Sequence, residues 1–462
     1  MTVQKIRIPI SPFLIIIGII LLQTVSNFQY EMISNGKFQV KNNQPQSRLR
    51  ILNETKLQTF DDIYHIMTIE VCIGIPKQCF NLLYDTGMMY TIIGDNSTKV
   101  SFTNKFVHSL SQSYRSKSQS LYTFAYRYGQ INAREVCDYC VLDDKRPPYT
   151  FNFLVAYNTT TTYNFDGILG LGHQYPIREE GVAFDERFSF MEYLKFNKVI
   201  KKKIFAHEYL NRTYGKFYFD EIPKSMGNDY HKCQAGFNIP FLYKWYCDIL
   251  SVSLSSGKVI NEIQSPVAFD TGYIDVRGPL QEGLALLNEL LSISGGRCSI
   301  EEITISDKDT MKKLICQENV KISSFPNIQF NMNDNTNGQM VLLTDDMFRL
   351  VEVNGMRKYV CKVVLDSRYK YWNLGEPVLK NYDMIFDAEE SYVGYKENVN
   401  FYGESMVTVI ILALLLVGVI AFGVWVYFNR KKLFTKSLSQ AEIEKLNSKE
   451  AFDEGNQLGE IK

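Results

Sequence analysis

The chain has 462 residues, of which 45% are hydrophobic and 22% charged, a composition typical of a folded globular protein and not of a disordered one. The length is enough for two lobes instead of one small core. Lys+Arg and Asp+Glu number 50 each, so no excess of positive charge indicates a nucleic acid as partner.

Residues 1–26 have the pattern of a secretory signal peptide. Lys5 and Arg7 give a positive start, residues 8–22 are mostly apolar, and Thr24 and Ser26 are small residues suited to cleavage. An N-terminal membrane anchor is the alternative, but the apolar stretch is short and interrupted by prolines. We therefore expect residues 1–26 to be removed.

Residues 27–60 are polar and lean towards positive charge. Such a segment fits a pro-segment that lies over an acidic cleft, and it fits a flexible leader equally well. Beyond it, short runs such as 66–71, 149–155 and 215–219 alternate and are rich in Ile, Val, Tyr and Phe, which predicts strands. Helical patterns are predicted at 190–203 and 280–293. The body of the chain is therefore predicted to be mainly β.

Residues 406–428 predict a transmembrane helix. The segment contains no charged residue and is long enough, as a helix, to cross a hydrocarbon core of about 30 Å. A buried core helix is the alternative, but it would normally carry a polar face. Trp425 and Tyr427 are followed by basic residues at 430–432, which places the tail, 429–462, in the cytosol. The predicted topology is type I, with a short stalk at 399–405.

The distribution of cysteines and sequons agrees with a lumenal or extracellular body. All nine cysteines lie between Cys72 and Cys361, where disulfides would persist. Because nine is odd, at least one thiol is free or pairs outside the chain. Cys137 and Cys140 form a CxxC motif without a second copy or a nearby His cluster, so a disulfide or loop staple is favoured over a redox or zinc site. Four glycosylation sequons fall in the same part of the chain: Asn53, Asn96, Asn158 and Asn211.

One short signature occurs twice, as Asp85-Thr86-Gly87 and as Asp270-Thr271-Gly272, each after an apolar run that ends in an aromatic residue. One copy would be an ordinary turn, but two copies indicate a duplicated site. Two carboxylates held together share one proton, so that one is a base for a water and the other an acid. Asp85 and Asp270 are the predicted catalytic pair. The glycines would let the two loops approach, and the threonine hydroxyls would bridge to backbone.

Further segments follow in a set order: 73–80, 165–172, 325–328, 372–382, 386–387 and 393–395. Together with the two triplets they resemble the pepsin family of aspartic proteases, over about residues 64–395. The resemblance implies two β lobes, 61–234 and 235–398, with an extended peptide substrate bound in the cleft between them. It implies no metal, no organic cofactor and a monomeric protein.

The resemblance also implies a flap, a hairpin whose Tyr-Gly touches the substrate. Tyr128-Gly129 lies at the corresponding distance from the first triplet, although the glycines expected after it are absent. The alternative is that Tyr128 is a strand aromatic in a tyrosine-rich region with Tyr122 and Tyr126.

The chain departs from the family pattern beside both aspartates. Met88 and Tyr273 stand where members carry a Ser or Thr that hydrogen-bonds the adjacent carboxylate, and Thr91-Ile92-Ile93 stands where many carry a Trp. Asp85 is therefore expected to lose a donor for its charged form. We expect an active enzyme with a shifted pH optimum or narrow substrate range; the rival is an inactive, peptide-binding relative. A structural surface receptor would not explain the paired triplets.

Two disulfides are expected from proximity in the sequence, Cys72–Cys79 and Cys233–Cys247. Among Cys298, Cys316 and Cys361 one pair at most can form, and the sequence leaves Cys298–Cys316 and Cys316–Cys361 both open.

Overall fold

The computed structural model describes residues 55–59, 67–126, 129–141, 149–160, 163, 165–172, 189–209, 214–235, 244–262, 264–305, 308–334, 336–353 and 355–398, with scattered positions between 414 and 445. The predicted signal peptide, most of the leader and the stalk lie outside these residues. Within the described part of the chain, no helix is both long enough and apolar enough to cross a membrane.

The described body is mainly β, as predicted. Its earlier strands are β1 (Thr55–Thr59), β2 (Met67–Ile73), β3 (Gln78–Asp85), β4 (Ile92–Lys99), β5 (Arg115–Tyr126), β6 (Gly129–Val141), β7 (Tyr149–Thr159), β8 (Gly167–Gly170), β9 (Ile204–Tyr209), β10 (Tyr214–Phe219) and β11 (His231–Gln234). Its later strands are β12 (Trp245–Leu254), β13 (Val259–Asn261), β14 (Ser265–Phe269), β15 (Val276–Pro279), β16 (Cys298–Thr304), β17 (Thr310–Gln317), β18 (Ile328–Met332), β19 (Gln339–Leu342), β20 (Phe348–Val353), β21 (Met356–Asp366), β22 (Trp372–Leu374), β23 (Tyr382–Asp387) and β24 (Tyr392–Glu397).

The described strands form two large sheets. The first, of thirteen strands, has the order β11-β24-β23-β9-β10-β1-β2-β3-β8-β4-β7-β6-β5, and the second contains the eleven strands from β12 to β22. Strands β23 and β24 come late in the chain, yet they pair with β9 and β11 of the first sheet. The predicted boundary between the lobes, after residue 234, assigns β23 and β24 to the second lobe. Their hydrogen bonds, however, are formed with strands of the first sheet.

Four described α-helices accompany the sheets: α1 (Phe190–Phe196), α2 (Leu280–Ile293), α3 (Thr344–Met347) and α4 (Glu376–Leu379). Helix α2 has the predicted bounds, and of the leucines on which the prediction rested (Leu284, Leu287, Leu290 and Leu291) it buries Leu287 and Leu290 and half-buries the other two. Leu286 is buried as well. Helix α1 is shorter than the predicted 190–203. It ends at Phe196 because Lys198 adopts a positive φ of 56°, which a right-handed helix cannot continue.

The hydrophobic core continues from one sheet to the other beneath the paired triplets. Phe205 of β9 stacks on Phe386 of β23 with ring centroids 4.7 Å apart, and Trp245 of β12 packs against both rings. The indole Nε1 of Trp245 also donates to the carbonyl oxygen of Leu171, just after β8, at 2.9 Å. These contacts join the second sheet to the first close to the triplet strands, since Trp245 is paired with Phe269 and Leu171 directly follows the residue opposite Asp85.

Each strand that leads into a triplet has a parallel neighbour in its sheet. Strand β3 runs parallel to β8, with Asp85 opposite Gly170, and β14 runs parallel to β22, with Phe269 opposite Leu374. The segments that resemble family signatures, 165–172 and 372–382, therefore contain the strands that flank the two triplet strands, and the second segment also contains helix α4.

Candidate active site

The two aspartates lie at the ends of two strands, one from each sheet. Asp85 is the last residue of β3, and Asp270 directly follows β14. Both side chains are almost fully buried, with 1% of each residue exposed. Buried carboxylates are rare unless they are paired, which indicates a built site and not a surface feature.

Thr86 and Thr271 join the two triplets by reciprocal hydrogen bonds. The amide of Thr86 donates to Oγ1 of Thr271 at 3.1 Å, and the amide of Thr271 donates to Oγ1 of Thr86 at 3.0 Å. Each hydroxyl in turn donates to a carbonyl oxygen across the interface, Thr86 to Phe269 and Thr271 to Tyr84, both at 2.8 Å. The hydroxyls thus bridge backbone between the lobes, as the sequence predicts.

Gly87 and Gly272 let the two carboxylates face each other. A Cβ on Gly87 would lie 2.1 Å from Oδ2 of Asp270, and a Cβ on Gly272 would lie 2.1 Å from Oδ2 of Asp85. Any side chain at either position would therefore displace the opposite carboxylate. The amides of these glycines also donate to Oδ1 of the preceding aspartate, at 2.8 Å for Gly87 and 3.1 Å for Gly272.

The other carboxylate oxygens receive donors that the sequence reasoning missed. The hydroxyl of Tyr126, on β5, donates to Oδ2 of Asp85 at 2.7 Å. On Asp270, Oδ2 accepts from Lys244 Nζ at 2.8 Å and from Asn373 Nδ2 at 3.2 Å. Met88 therefore does not leave Asp85 without a donor, because one arrives from a distant strand.

The hydroxyl of Tyr273 forms its hydrogen bond outside the pair of aspartates, Asp85 and Asp270, which is called the dyad below. The hydroxyl of Tyr369 donates to that of Tyr273 at 2.9 Å. Two cations lie near the ring of Tyr273, with Lys244 5.4 Å and Arg277 4.8 Å from its centroid. The hydroxyl of Tyr273 is therefore engaged with another tyrosine and not with the carboxylate of Asp270. Met88 and Tyr273, the two residues that depart from the family pattern, nevertheless form equivalent backbone hydrogen bonds. The carbonyl oxygen of Met88 accepts from the amide of Gly172, and that of Tyr273 accepts from the amide of Glu376.

A family model described as eukaryotic aspartyl protease matches residues 67–397, which is most of the chain. The chain belongs to the eukaryotic aspartyl protease family. Among curated relatives, it is 23% identical over 348 residues to a renin of Echis ocellatus, covering 71% of this chain and 78% of that protein. It is 24% identical over 351 residues to renin-2 of Mus musculus, with the same two coverages.

In this family member, the two aspartates have different electrostatic surroundings. Burial raises the pKa of Asp85 to about 7, with a further upward contribution from the charge of Asp270, against the opposing effects of Tyr126, the amide of Gly87 and Lys244. Burial and the neighbouring carboxylate therefore both favour the protonated form of Asp85. Burial favours a neutral Lys244, but the charge of Asp270 and the surrounding tyrosines outweigh it and hold the pKa of Lys244 well above its usual value.

The hairpin of β5 and β6 is the part of the chain in which the family resemblance predicts a flap. Tyr126 pairs with Gly129 at the end of the hairpin, while Tyr128, the tyrosine predicted to touch the substrate, lies outside the described residues. In the described part it is Tyr126 that reaches the dyad. Its ring packs edge-on against Tyr163 at 6.0 Å, and the hydroxyl of Tyr163 donates to its carbonyl oxygen at 3.4 Å. Its place immediately before the tip of a hairpin was the signal that could have identified it.

Lys244 and Asn373 also had signals in the sequence. Lys244 is a lone charge inside an otherwise apolar and aromatic run, 241–246, and Asn373 is the one polar residue of the buried strand β22. A polar side chain in such a place needs a buried partner. The sequence does not say which partner, because Lys244 lies 26 residues and Asn373 103 residues from Asp270.

Three disulfides are present. Cys72 pairs with Cys79 and Cys233 with Cys247, the two pairs expected from the sequence, and Cys298 pairs with Cys316, one of the two alternatives left open. Strand register decides the third pair, because Cys298 lies directly opposite Cys316 in the β16–β17 ladder while Tyr359 is the residue of β21 opposite Cys316. Cys361 is buried and free.

The expected staple between Cys137 and Cys140 is wrong. Both cysteines are free and buried on β6. Alternate residues of a strand point to opposite faces, so residues three apart face away from each other, about 10 Å apart along the strand. A disulfide requires Cα atoms within about 7 Å and converging Cβ vectors.

Of the four predicted glycosylation positions, Asn96 and Asn158 are exposed, whereas Asn53 and Asn211 lie outside the described residues. Attachment of a glycan at any of the four stays a prediction.

Proposed function

We propose that this chain is an aspartic endopeptidase in which Asp85 and Asp270 activate a water to hydrolyse peptide bonds. The observation that carries the proposal is the pair of facing, buried carboxylates, each of which accepts an amide hydrogen bond from its own triplet glycine. The reciprocal threonine bonds hold the pair in place from below. Family membership supports the same reaction and a peptide substrate in the cleft.

The reaction needs one ionised and one protonated carboxyl. The ionised group takes a proton from the attacking water while the protonated group gives its proton to the carbonyl oxygen of the scissile bond. The tetrahedral species then collapses, the C–N bond breaks, and the leaving nitrogen receives a proton from the dyad. Two carboxyls in such proximity titrate as a pair, so the rate should show a bell-shaped dependence on pH.

The decisive experiment uses the full-length protein purified in detergent and a library of unfolded peptides at acidic pH. We expect cleavage by the wild type and loss of cleavage in Asp85→Asn and in Asp270→Asn. Asp345→Asn is the matched control, because Asp345 is an exposed aspartate on α3. Equal turnover by wild type and the two dyad variants would contradict the proposal. Tight binding of peptides without turnover would instead support the inactive, peptide-binding alternative.

We also propose that the enzyme is a monomeric, single-pass type I membrane glycoprotein with a cleaved signal peptide (1–26) and a pro-segment within 27–60. The charge-free stretch 406–428 before the basic residues 430–432 supports the membrane anchor. In the described helical positions between 414 and 426, large apolar side chains such as Leu414, Val419 and Phe422 are more than half exposed, which suits contact with lipid.

The topology can be tested in cells that express the full chain. Resistance to carbonate extraction, together with a mobility shift after glycosidase treatment, would support it. Replacing the asparagines of the four sequons (Asn53, Asn96, Asn158 and Asn211) by Gln should abolish the shift. Release of the protein by carbonate, or the absence of a glycosidase shift, would contradict the topology.

A further inference from the structure

Lys244 places a buried positive charge on one member of the dyad. It stands just before β12 and is 6% exposed, and its Nζ lies 2.8 Å from Oδ2 of Asp270. A buried ammonium is costly unless it is paired, so this contact has a specific electrostatic consequence.

The surroundings of Lys244 are aromatic and cationic. Its Nζ lies 5.4 Å from the ring centroid of Tyr273 and 5.9 Å from that of Tyr371, and the amide of Asn373 shares its carboxylate oxygen. Arg277 also lies against the ring of Tyr273, 4.8 Å from its centroid, and pairs with Asp366 at 3.3 Å. In the part of the chain that the structure describes, contacts link six charged groups around this site: Lys244 and Asp270, the facing Asp85, and Arg277, Asp366 and Arg368.

The contacts of the other dyad member are of a different kind. The hydrogen bonds that the structure gives Asp85 come from neutral groups, the hydroxyl of Tyr126 and the amide of Gly87. An adjacent cation favours the charged form of a carboxylate more strongly than a neutral donor does. The geometry therefore makes the two carboxyls unequal before any substrate binds.

We propose that Lys244 is a positioning residue that keeps the negative charge of the dyad on Asp270 and so leaves the shared proton on Asp85. For catalysis this rests on the proposed function. Asp270 would be the base that takes a proton from water, and Asp85 the acid that protonates the carbonyl oxygen as the new C–O bond forms. After this step Asp270 is protonated beside an ammonium, which favours delivery of that proton to the leaving nitrogen when the C–N bond breaks, while Asp85 regains its proton from the hydroxyl of the intermediate.

An alternative role for Lys244 is a plug that must leave before a substrate enters. Its burial and its enclosure by Tyr273 and Tyr371 favour a permanent part of the site. The two roles predict opposite effects when the lysine is replaced by a neutral side chain of similar length.

The test is the pH profile of kcat/KM for full-length Lys244→Met, with Lys244→Arg as the charge-conserving control. Removing a cation from the dyad raises both of its apparent pKa values, so both limbs should move to higher pH by about one unit or more, a tenfold change in proton affinity. The arginine variant should keep both limbs near those of the wild type. Unmoved limbs in Lys244→Met, or faster turnover at every pH, would overturn the proposal.

Two further measurements keep the inference separate from turnover and from folding. Proton uptake on binding a transition-state-mimicking peptide inhibitor reports the charge of the dyad even if no peptide is cleaved, so a failure of the proposed function would be distinguishable. If Lys244→Met does not fold, Lys244→Gln removes the charge but keeps a donor for Asp270. A glutamine variant with the proton uptake and pH limbs of the wild type would show that the charge of Lys244 does not set the dyad.

Discussion

Thr86 and Thr271 each donate their backbone amide to the side-chain hydroxyl of the other, at 3.1 and 3.0 Å, across the boundary between the two lobes. The two residues are 185 positions apart in the chain. These two hydrogen bonds join the loops that hold Asp85 and Asp270 directly to each other, so they set the relative position of the two carboxyls.

Replacing Thr86 by Val should destabilise the fold and lower activity together. The change keeps the shape but removes the acceptor for the Thr271 amide and the donor to the Phe269 carbonyl, leaving both without that partner in a buried place. We expect a loss of about 1–3 kcal/mol in the free energy of unfolding, measured by denaturant titration. Thr86→Ser, which retains the hydroxyl, is the control and should stay near wild type. Equal stability of the Val and Ser variants would show that the bridge contributes nothing.

Gly87→Ala should lower activity far more than stability. The added Cβ would lie 2.1 Å from Oδ2 of Asp270, and the carboxylate must move to relieve the contact. A displacement of about 1 Å at a reacting group costs on the order of a hundredfold in kcat/KM. Gly257→Ala is the matched contrast, because Gly257 has a φ of 87° and open space around it, so that change should cost stability without affecting turnover. Wild-type kcat/KM in Gly87→Ala would contradict the steric argument.

Tyr126→Phe should move the alkaline limb of the pH profile. The hydroxyl of Tyr126 lowers the pKa of Asp85 through a 2.7 Å hydrogen bond, so its removal should raise that pKa from about 7. We expect a shift of about one unit towards higher pH, the size typical of a charge-assisted bond. The phenyl ring keeps the packing on Tyr163. Tyr128→Phe is the companion variant, and a larger shift there than in Tyr126→Phe would return the flap contact to the tyrosine predicted from the sequence.

Three thiols should react when the protein is unfolded without a reductant. Cys137, Cys140 and Cys361 are free, while the other six cysteines are paired. Alkylation in denaturant followed by peptide mass spectrometry should label these three, and the folded protein should be labelled slowly because all three are buried. A peptide in which Cys361 is linked to Cys316 would contradict the pairing described here.

The contribution of Asp383 to the free energy of unfolding should fall as the pH rises from about 4 to 7. Burial raises the pKa of Asp383 to about 7, with a further upward contribution from Glu208, against hydrogen bonds from the Tyr209 amide and the Asn398 side chain. The unfolded value is about 3.9, so between these values the folded state binds more protons than the unfolded state and loses stability as the pH increases. The total for Asp383 is on the order of 4 kcal/mol.

Asp383→Asn should flatten this dependence, as measured by the free energy of unfolding at several pH values. The amide keeps an oxygen to accept from Tyr209 and Asn398 but does not ionise. Asp85 contributes in the same direction. His207, whose pKa burial lowers to about 3, contributes in the opposite direction, so the slope that remains in the variant is the balance of these two groups. Glu301→Gln, at an exposed residue of β16, should leave the slope unchanged. A steeper slope in Asp383→Asn would contradict the assignment.

Much of the fold could be predicted from the sequence because its signals are local. The alternation of apolar residues gave the β body, and the stripe of leucines gave helix α2 with its bounds. Helix α1 was predicted too long, since apolar periodicity continues beyond the turn at Lys198, where the backbone leaves the helix. The cysteines at 137 and 140 misled because spacing in sequence carries no information on which face of a strand each side chain occupies.

The paired Asp-Thr-Gly triplets and the family pattern around them can be recognised in the sequence alone, because each is a contiguous string whose chemistry depends on its own residues. The groups that surround the carboxylates become known only from the folded chain. Tyr126, Lys244 and Asn373 lie 41, 26 and 103 residues from the aspartates they contact, and they arrive there through strand pairing within each sheet and packing between strands. From the sequence, Met88 and Tyr273 suggest that the aspartates lose donors, because only the neighbouring residues in the chain can be judged. In the folded chain, a buried carboxylate accepts hydrogen bonds from any donor that the fold brings within hydrogen-bond distance.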